Sequence, residues 1–271
     1  MEQRPRKAEF FTRADGSHLR YYTAGTGAAL VLMHTVRTQL DYFQRVIPLL
    51  WDASTVYALD LPGMGWFDIV PGARYDEPQL RAAAIEFVTG LDLHDVTLAG
   101  ESPGAALSLG ASIDLKDRLR RVVALNSYDY PGGLERGNPF ARLIISLVRT
   151  PGLGPVFAAM ENRPILRGVM RGGFVDKSQL PEDLLVELRK SGDRKGYPMV
   201  ARAIYRSLKG FQRARDRYLD VSAPVTLVYS ERDWSHPRER DHVAGHRPLL
   251  RARTARRRGA HPVADSVTSH P

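Results

Sequence analysis

The chain has 271 residues, 43% hydrophobic and 25% charged, and no cysteine. That length supports one sizeable core carrying an insertion, the composition is ordinary for a folded globular protein, and the missing cysteine excludes disulfides, thiolate metal sites and cysteine nucleophiles. Of the net charge of +9, residues 247–271 contribute six Arg against one acid, Asp265, leaving 33 basic and 29 acidic residues in the first 246, so no nucleic-acid partner is expected.

In chain order, the charged start MEQRPRKAEFF lacks the apolar core of a signal peptide. No apolar run is long enough to span a bilayer, and a cytoplasmic protein without a membrane partner is expected. FFTRADGSHLRYYTAG predicts two strands around Asp15-Gly16, a dipeptide favoured where the backbone takes positive φ. ALVLMH (29–34), VYALD (56–60), VTLAG (96–100), VVALN (122–126) and VTLVY (225–229) are continuous apolar runs, as in strands buried on both faces of a parallel sheet. Helical stretches at 78–92 and 103–113 lie between them. The fold class predicted is α/β, a mostly parallel, doubly wound sheet with helices on both faces.

Between 130 and 220 the strand signal disappears, and segments 141–149, 180–191 and 198–213 predict helices. They read as a helical cap inserted over the sheet's C-terminal edge, where open α/β sheets place ligands. The organisation expected is core 1–129, cap 130–220, core 221–246 and an atypical tail 247–271. Cap residues Leu143, Ile144, Ile145, Phe157, Met160 and Phe174 either line an apolar pocket or bury the cap's own core.

At the end of VTLAG the chain gives Gly100-Glu101-Ser102-Pro103-Gly104 and passes into a helix. A sharp strand-turn-helix of this kind lifts a serine Oγ clear of the sheet, and small flanking residues are what let it form. Serine needs a neighbouring base oriented by a carboxylate. Asp233, in the loop after VTLVY, is the carboxylate chosen, with Asp129 after VVALN in reserve. His236, His242, His246, His261 and His270 follow Asp233, and His261, in Gly259-Ala260-His261-Pro262, has the best spacing for the base. No cofactor or metal is called for; a small-molecule substrate is the expected partner, and the oligomeric state is left open.

These motifs, with His34-Thr35-Val36 after one strand and Asp60-Leu61-Pro62-Gly63-Met64-Gly65 after the next, resemble the α/β-hydrolase superfamily from about residue 10 to about residue 245. The resemblance implies that Val36 offers a backbone N–H to an oxyanion hole and that His34 is a structural loop residue. It implies a Ser-His-Asp hydrolase acting on a small or medium ester, thioester or lactone, with C–C bond hydrolysis as a variant. Serine at the turn argues against the dehalogenase and epoxide-hydrolase branches, which use a carboxylate nucleophile.

Three departures stand out. The family's second oxyanion donor is the N–H after the nucleophile, and here that residue is Pro103, which has none. Thr35 and Phe67 replace a glycine and a serine of the family motifs. RPLLRARTARRR, with six Arg in twelve residues, predicts a solvated segment that leaves the last sheet edge unbuilt. Codons for Arg257–Ser266 exist that, read one base later, spell DAGHTLSLTR, which resembles the family's histidine loop running into its helix. The tail is therefore expected to be out of frame, with His261 owing its place to shared bases. The rival reading, a catalytically silent α/β-hydrolase-like ligand binder or the product of a damaged gene, rests on Pro103 and this tail.

Overall fold

The computed structural model describes residues 8–133, 136, 139–174, 176–231, 233–244 and 250–255. Its strands are β1 (Ala8–Thr12), β2 (His18–Ala24), β3 (Ala28–Met33), β4 (Ser54–Leu59), β5 (Val96–Glu101), β6 (Leu119–Leu125), β7 (Val225–Ser230) and β8 (Leu250–Ala255). They form one sheet in the order β1-β2-β4-β3-β5-β6-β7-β8. The opening hairpin is present: Ala8 faces Tyr22 and Thr12 faces His18 in an antiparallel pair, joined through Gly16 at φ 81°. β2 is antiparallel to β4, and every later pair is parallel.

The order makes the site. From β3 the chain steps to β4 on one side and then to β5 on the other, so the loops after β3 and β5 diverge and leave a crevice between them. α1 (Glu77–Gly90) and α2 (Pro103–Leu115) cover one face. α1 buries Leu80, Ala83, Ala84, Phe87 and Val88, an i, i+3, i+4, i+7, i+8 stripe, and Asp76 caps it by accepting from Gln79 N–H at 3.2 Å. α2 is buried all round except at Asp114, as expected of a helix lying directly behind a central strand. Val31, Met33, Leu59 and Leu98 point to this side. Leu32, Val56, Ala58 and Ala99 point to the other, against Leu40, Phe43, Val46 and Ile47 from two 3-10 turns.

Over the C-terminal edge run α3 (Pro139–Arg149), α4 (Gly154–Ala159), α5 (Arg163–Arg171), α6 (Glu182–Gly192) and α7 (Tyr197–Ala214). α4 and α5 were not anticipated: each is short, starting at Gly154 or Arg163 with Pro155 or Pro164 as its second residue, so few turns exist for a period to show. α8 (Pro237–Ala244) follows the Asp233 loop.

One expectation is overturned. The last edge is built, because β8 pairs in parallel with β7 from Val225↔Leu250 to Ser230↔Ala255. LRARTA alternates Leu250, Ala252 and Thr254 with Arg251, Arg253 and Ala255. The apolar members are small enough for the arginines to mask a period of two, and charge is compatible with an edge strand, which has a neighbour on one side only.

Candidate active site

At the end of β5 the backbone of Ser102 turns to φ 57°, ψ −120°, the left-handed region that a non-glycine residue occupies under constraint. The constraint is visible: Ser102 N–H donates to Leu125 O at 2.9 Å, and Ser102 O accepts from Ala105 N–H at 3.0 Å and Tyr128 N–H at 3.1 Å. The two glycines of the motif are needed for contact. A Cβ at Gly100 would strike the Gly104 carbonyl, and one at Gly104 the carbonyls of Met33 and His34. α2 is thus pressed against β5 and β3, and Ser102 is carried to the mouth of the crevice.

The loop after β3 forms the facing wall. His34 is fully buried; its Nδ1–H donates to Thr35 O at 2.7 Å and its Nε2 accepts from Leu61 N–H at 2.9 Å. Burial holds its pKa below the usual range, so it is a neutral bolt between two loops. Asp60, also buried, accepts from Arg20 Nε at 2.7 Å, Leu40 N–H at 2.8 Å and Trp66 N–H at 2.7 Å. A Cβ at Gly65 would collide with the Asp60 carboxylate, so the DLPGMG motif is a loop anchor. Phe67 packs in the main core.

Ser102 opens on a cavity of about 80 Å³. Thr35, Val36 and Arg37 form one side of it; Ala141 and Ile145 of α3, Phe174, Tyr205 of α7 and Trp234 contribute from above. Val36 N–H has no hydrogen-bond acceptor among the described residues. Pro103, buried at the first turn of α2, supplies no second N–H. Of the apolar residues singled out in the sequence, Ile145 and Phe174 line the cavity, Ile144 and Phe157 pack on the core, and Leu143 and Met160 are exposed.

Asp233 sits in the turn after β7. Its Oδ1 accepts from Ser235 N–H at 2.7 Å and Ser235 Oγ–H at 2.6 Å, and burial raises its pKa against those bonds. Oδ2 has no hydrogen-bond donor among the described residues. Its charge reaches Glu101: burial, opposed by a hydrogen bond from Tyr42 and reinforced by Asp233, pushes that carboxyl up to about 8. Asp129 is bound to Ser127 Oγ–H at 2.9 Å, and burial lifts it to about 6. His261 lies outside the described residues, as do His246, His270 and most of the tail. His236 is exposed at the start of α8.

The sequence model of the Alpha/beta hydrolase family matches residues 30–268. The chain belongs to that family. The match begins in β3 and runs past the limit near 245 set by the motifs, into the Arg-rich tail. This α/β hydrolase is 27% identical over 237 residues to an uncharacterized hydrolase, YugF, of Bacillus subtilis, covering 83% of the chain and 81% of the relative. It is 28% identical over 214 residues to a 2-hydroxy-6-oxo-2,4-heptadienoate hydrolase of Pseudomonas putida, covering 78% and 70%. Among solved structures, the haloalkane dehalogenase DbeA from Bradyrhizobium elkani superposes with a TM-score of 0.81 at 16% identity, covering 97% of this chain and 94% of that one; at that identity the likeness is one of fold. No described helix is long and apolar enough to cross a membrane.

The motifs in this α/β hydrolase point to Ser102 and Val36 but leave Arg37, Tyr42, Tyr205 and Trp234 unmarked. The one signal that could have found Arg37 is its position directly after His34-Thr35-Val36; that its backbone takes φ 64° shows only in the fold.

Proposed function

We propose that this α/β hydrolase cleaves small esters, thioesters or lactones through Ser102. The observation that carries the reading is the strained Ser102 turn opening on a partly enclosed cavity that Val36, whose N–H is unbonded among the described residues, also lines. Ser102 Oγ attacks the substrate carbonyl carbon while its proton passes to His261. The carbonyl π pair moves to oxygen, which Val36 N–H stabilises. Collapse expels the alcohol or thiol, which takes the proton back from His261 and leaves an acyl-Ser102 ester; water then repeats the sequence and releases the acid. Asp233, with Oδ2 available, orients His261. A cavity of about 80 Å³ has room for about three waters at the ~30 Å³ each takes in the liquid, which favours the small end of the substrate range. The helices of segment 130–220 act as the cap that sets it, and residues 1–129 and 221–246 as the core. The same triad serves C–C bond hydrolysis as a variant.

Esterase assays with p-nitrophenyl acetate test the reading. Wild type is expected to turn over, and Ser102→Ala to lose at least about a thousandfold; equal rates in the two proteins would remove Ser102 from the chemistry. A silent fold is the second reading, and Pro103 favours it: loss of one oxyanion donor removes ~2.7–4 kcal/mol of transition-state stabilisation. Sequencing the gene around codons 247–271 tests the out-of-frame tail; a second frame without a histidine-loop peptide removes that proposal.

A further inference from the structure

Arg37 is the charged residue among the described residues that line the Ser102 cavity, and it is 5% exposed. A guanidinium carries five N–H donors in a planar fork. In Arg37, Nη2 donates to Glu161, Nε is buried with no acceptor, and Nη1 has none among the described residues. Buried donors are rarely left unmet, and each such group in a native fold asks for an explanation.

The side chain is held in place before any ligand arrives. Its guanidinium carbon lies 5.1 Å from the Tyr197 ring centroid and 5.8 Å from that of Tyr205. Glu161, between α4 and α5, supplies the counter-charge, and its own backbone oxygen is fixed by Arg189 Nη1–H at 2.6 Å. Rings hold the cation and one carboxylate occupies one nitrogen, so the unmet N–H groups form a fixed set of charge-assisted donors. An anionic oxygen acceptor such as a carboxylate, reaching Nη1 from the cavity, satisfies that donor best. The remaining cavity wall carries no other charge among the described residues.

We propose that Arg37 is the anchor for a substrate carboxylate, and that the natural substrate is a short half-ester or half-thioester of a dicarboxylic acid whose free carboxylate docks on Arg37 while its ester carbonyl lies at Ser102. This rests on the Ser102 reading for the position of the ester, whereas the anion site stands on its own donors.

Binding can be separated from turnover by working in Ser102→Ala protein. Monomethyl succinate, an anion at neutral pH, is compared by calorimetry with methyl levulinate, a neutral ester of the same number of heavy atoms. The anion is expected to bind at least about tenfold tighter, and adding Arg37→Met is expected to erase that difference while circular dichroism shows the fold retained. Equal binding of the two compounds, or a preference that survives Arg37→Met, overturns the proposal. Should Arg37→Met not fold, Glu161→Gln decides: removing the competing carboxylate should tighten the anion and leave the neutral ester unchanged, and an unchanged or weakened anion contradicts the site. In wild type, hydrolysis of neither ester together with an Arg37-dependent preference sinks the Ser102 reading and leaves the anion site. Equally fast hydrolysis of both does the reverse.

Discussion

The turn at Ser102 is held by several backbone-to-backbone bonds, whereas the turn at Asp233 has one, Asp233 N–H to Ser230 O at 3.3 Å, and otherwise relies on side chains. At Ser102 the fixing contacts are main-chain hydrogen bonds to Leu125, Ala105 and Tyr128, closed by glycines that allow β5, α2 and β3 to touch. At Asp233 they are the Ser235 hydroxyl, and Arg240, whose Nε donates to Ser235 Oγ at 2.9 Å and Nη2 to Ser235 O at 2.8 Å, over the Tyr229 ring. Backbone-held geometry dictates residue types at fixed spacing, so it leaves a motif. Side-chain-held geometry can be met by many residues, so it leaves only an acid after a strand.

The largest test of that contrast sets the two buried acids against each other. Asp233→Asn is expected to lower ester turnover by about a thousand to ten thousandfold, the scale seen when a triad histidine loses its orienting carboxylate. Asp129→Asn, whose carboxylate is occupied by Ser127, should change it less than about tenfold. Reversed effects in steady-state assays would move the acid from β7 to β6.

Next comes the proline. Pro103→Ala places an N–H beside the proposed nucleophile Ser102 and should raise kcat by about a hundred to a thousandfold. No gain with any ester would mean that the developing charge is met elsewhere.

Stability separates the two turns more finely. Gly104→Ala, forced onto two carbonyls, should cost about 3 kcal/mol or more in denaturant unfolding, whereas Ser235→Ala should cost about 1 kcal/mol. Similar losses would show that both turns rest on side chains.

A pH slope offers a further test. Burial raises the Glu101 carboxyl to about 8, so between its unfolded value of 4.5 and about 8 the folded chain keeps a proton the unfolded chain releases. Stability from this group is full below the lower value and is lost as pH rises through the upper one. Glu101→Gln should flatten that part of the urea-midpoint profile, and the part due to Asp129, raised to about 6, should remain. An unchanged slope would place the ionisation elsewhere.

Much of the core was legible for the same reason the Ser102 turn was. Buried parallel strands must be apolar throughout, which marks 96–100 and 225–229, and α1 must show its stripe. β8 was missed because its alternation uses alanine and threonine between arginines, and α4 and α5 because they are too short for a period to emerge. In the site, Ser102 sits on constrained backbone and could be read from its motif, whereas Val36 came only from the family resemblance. Arg37 and Glu161 are 124 residues apart, and a pairing of that kind exists only once the helices close over the sheet.

The central claim is that Ser102 is an activated nucleophile. Incubation with a fluorophosphonate, followed by peptide mass spectrometry, tests it without knowledge of the substrate. The account predicts one adduct, on Ser102, lost in Ser102→Ala and strongly slowed in His261→Ala. An unlabelled Ser102 in folded protein, or labelling indifferent to His261, would contradict it.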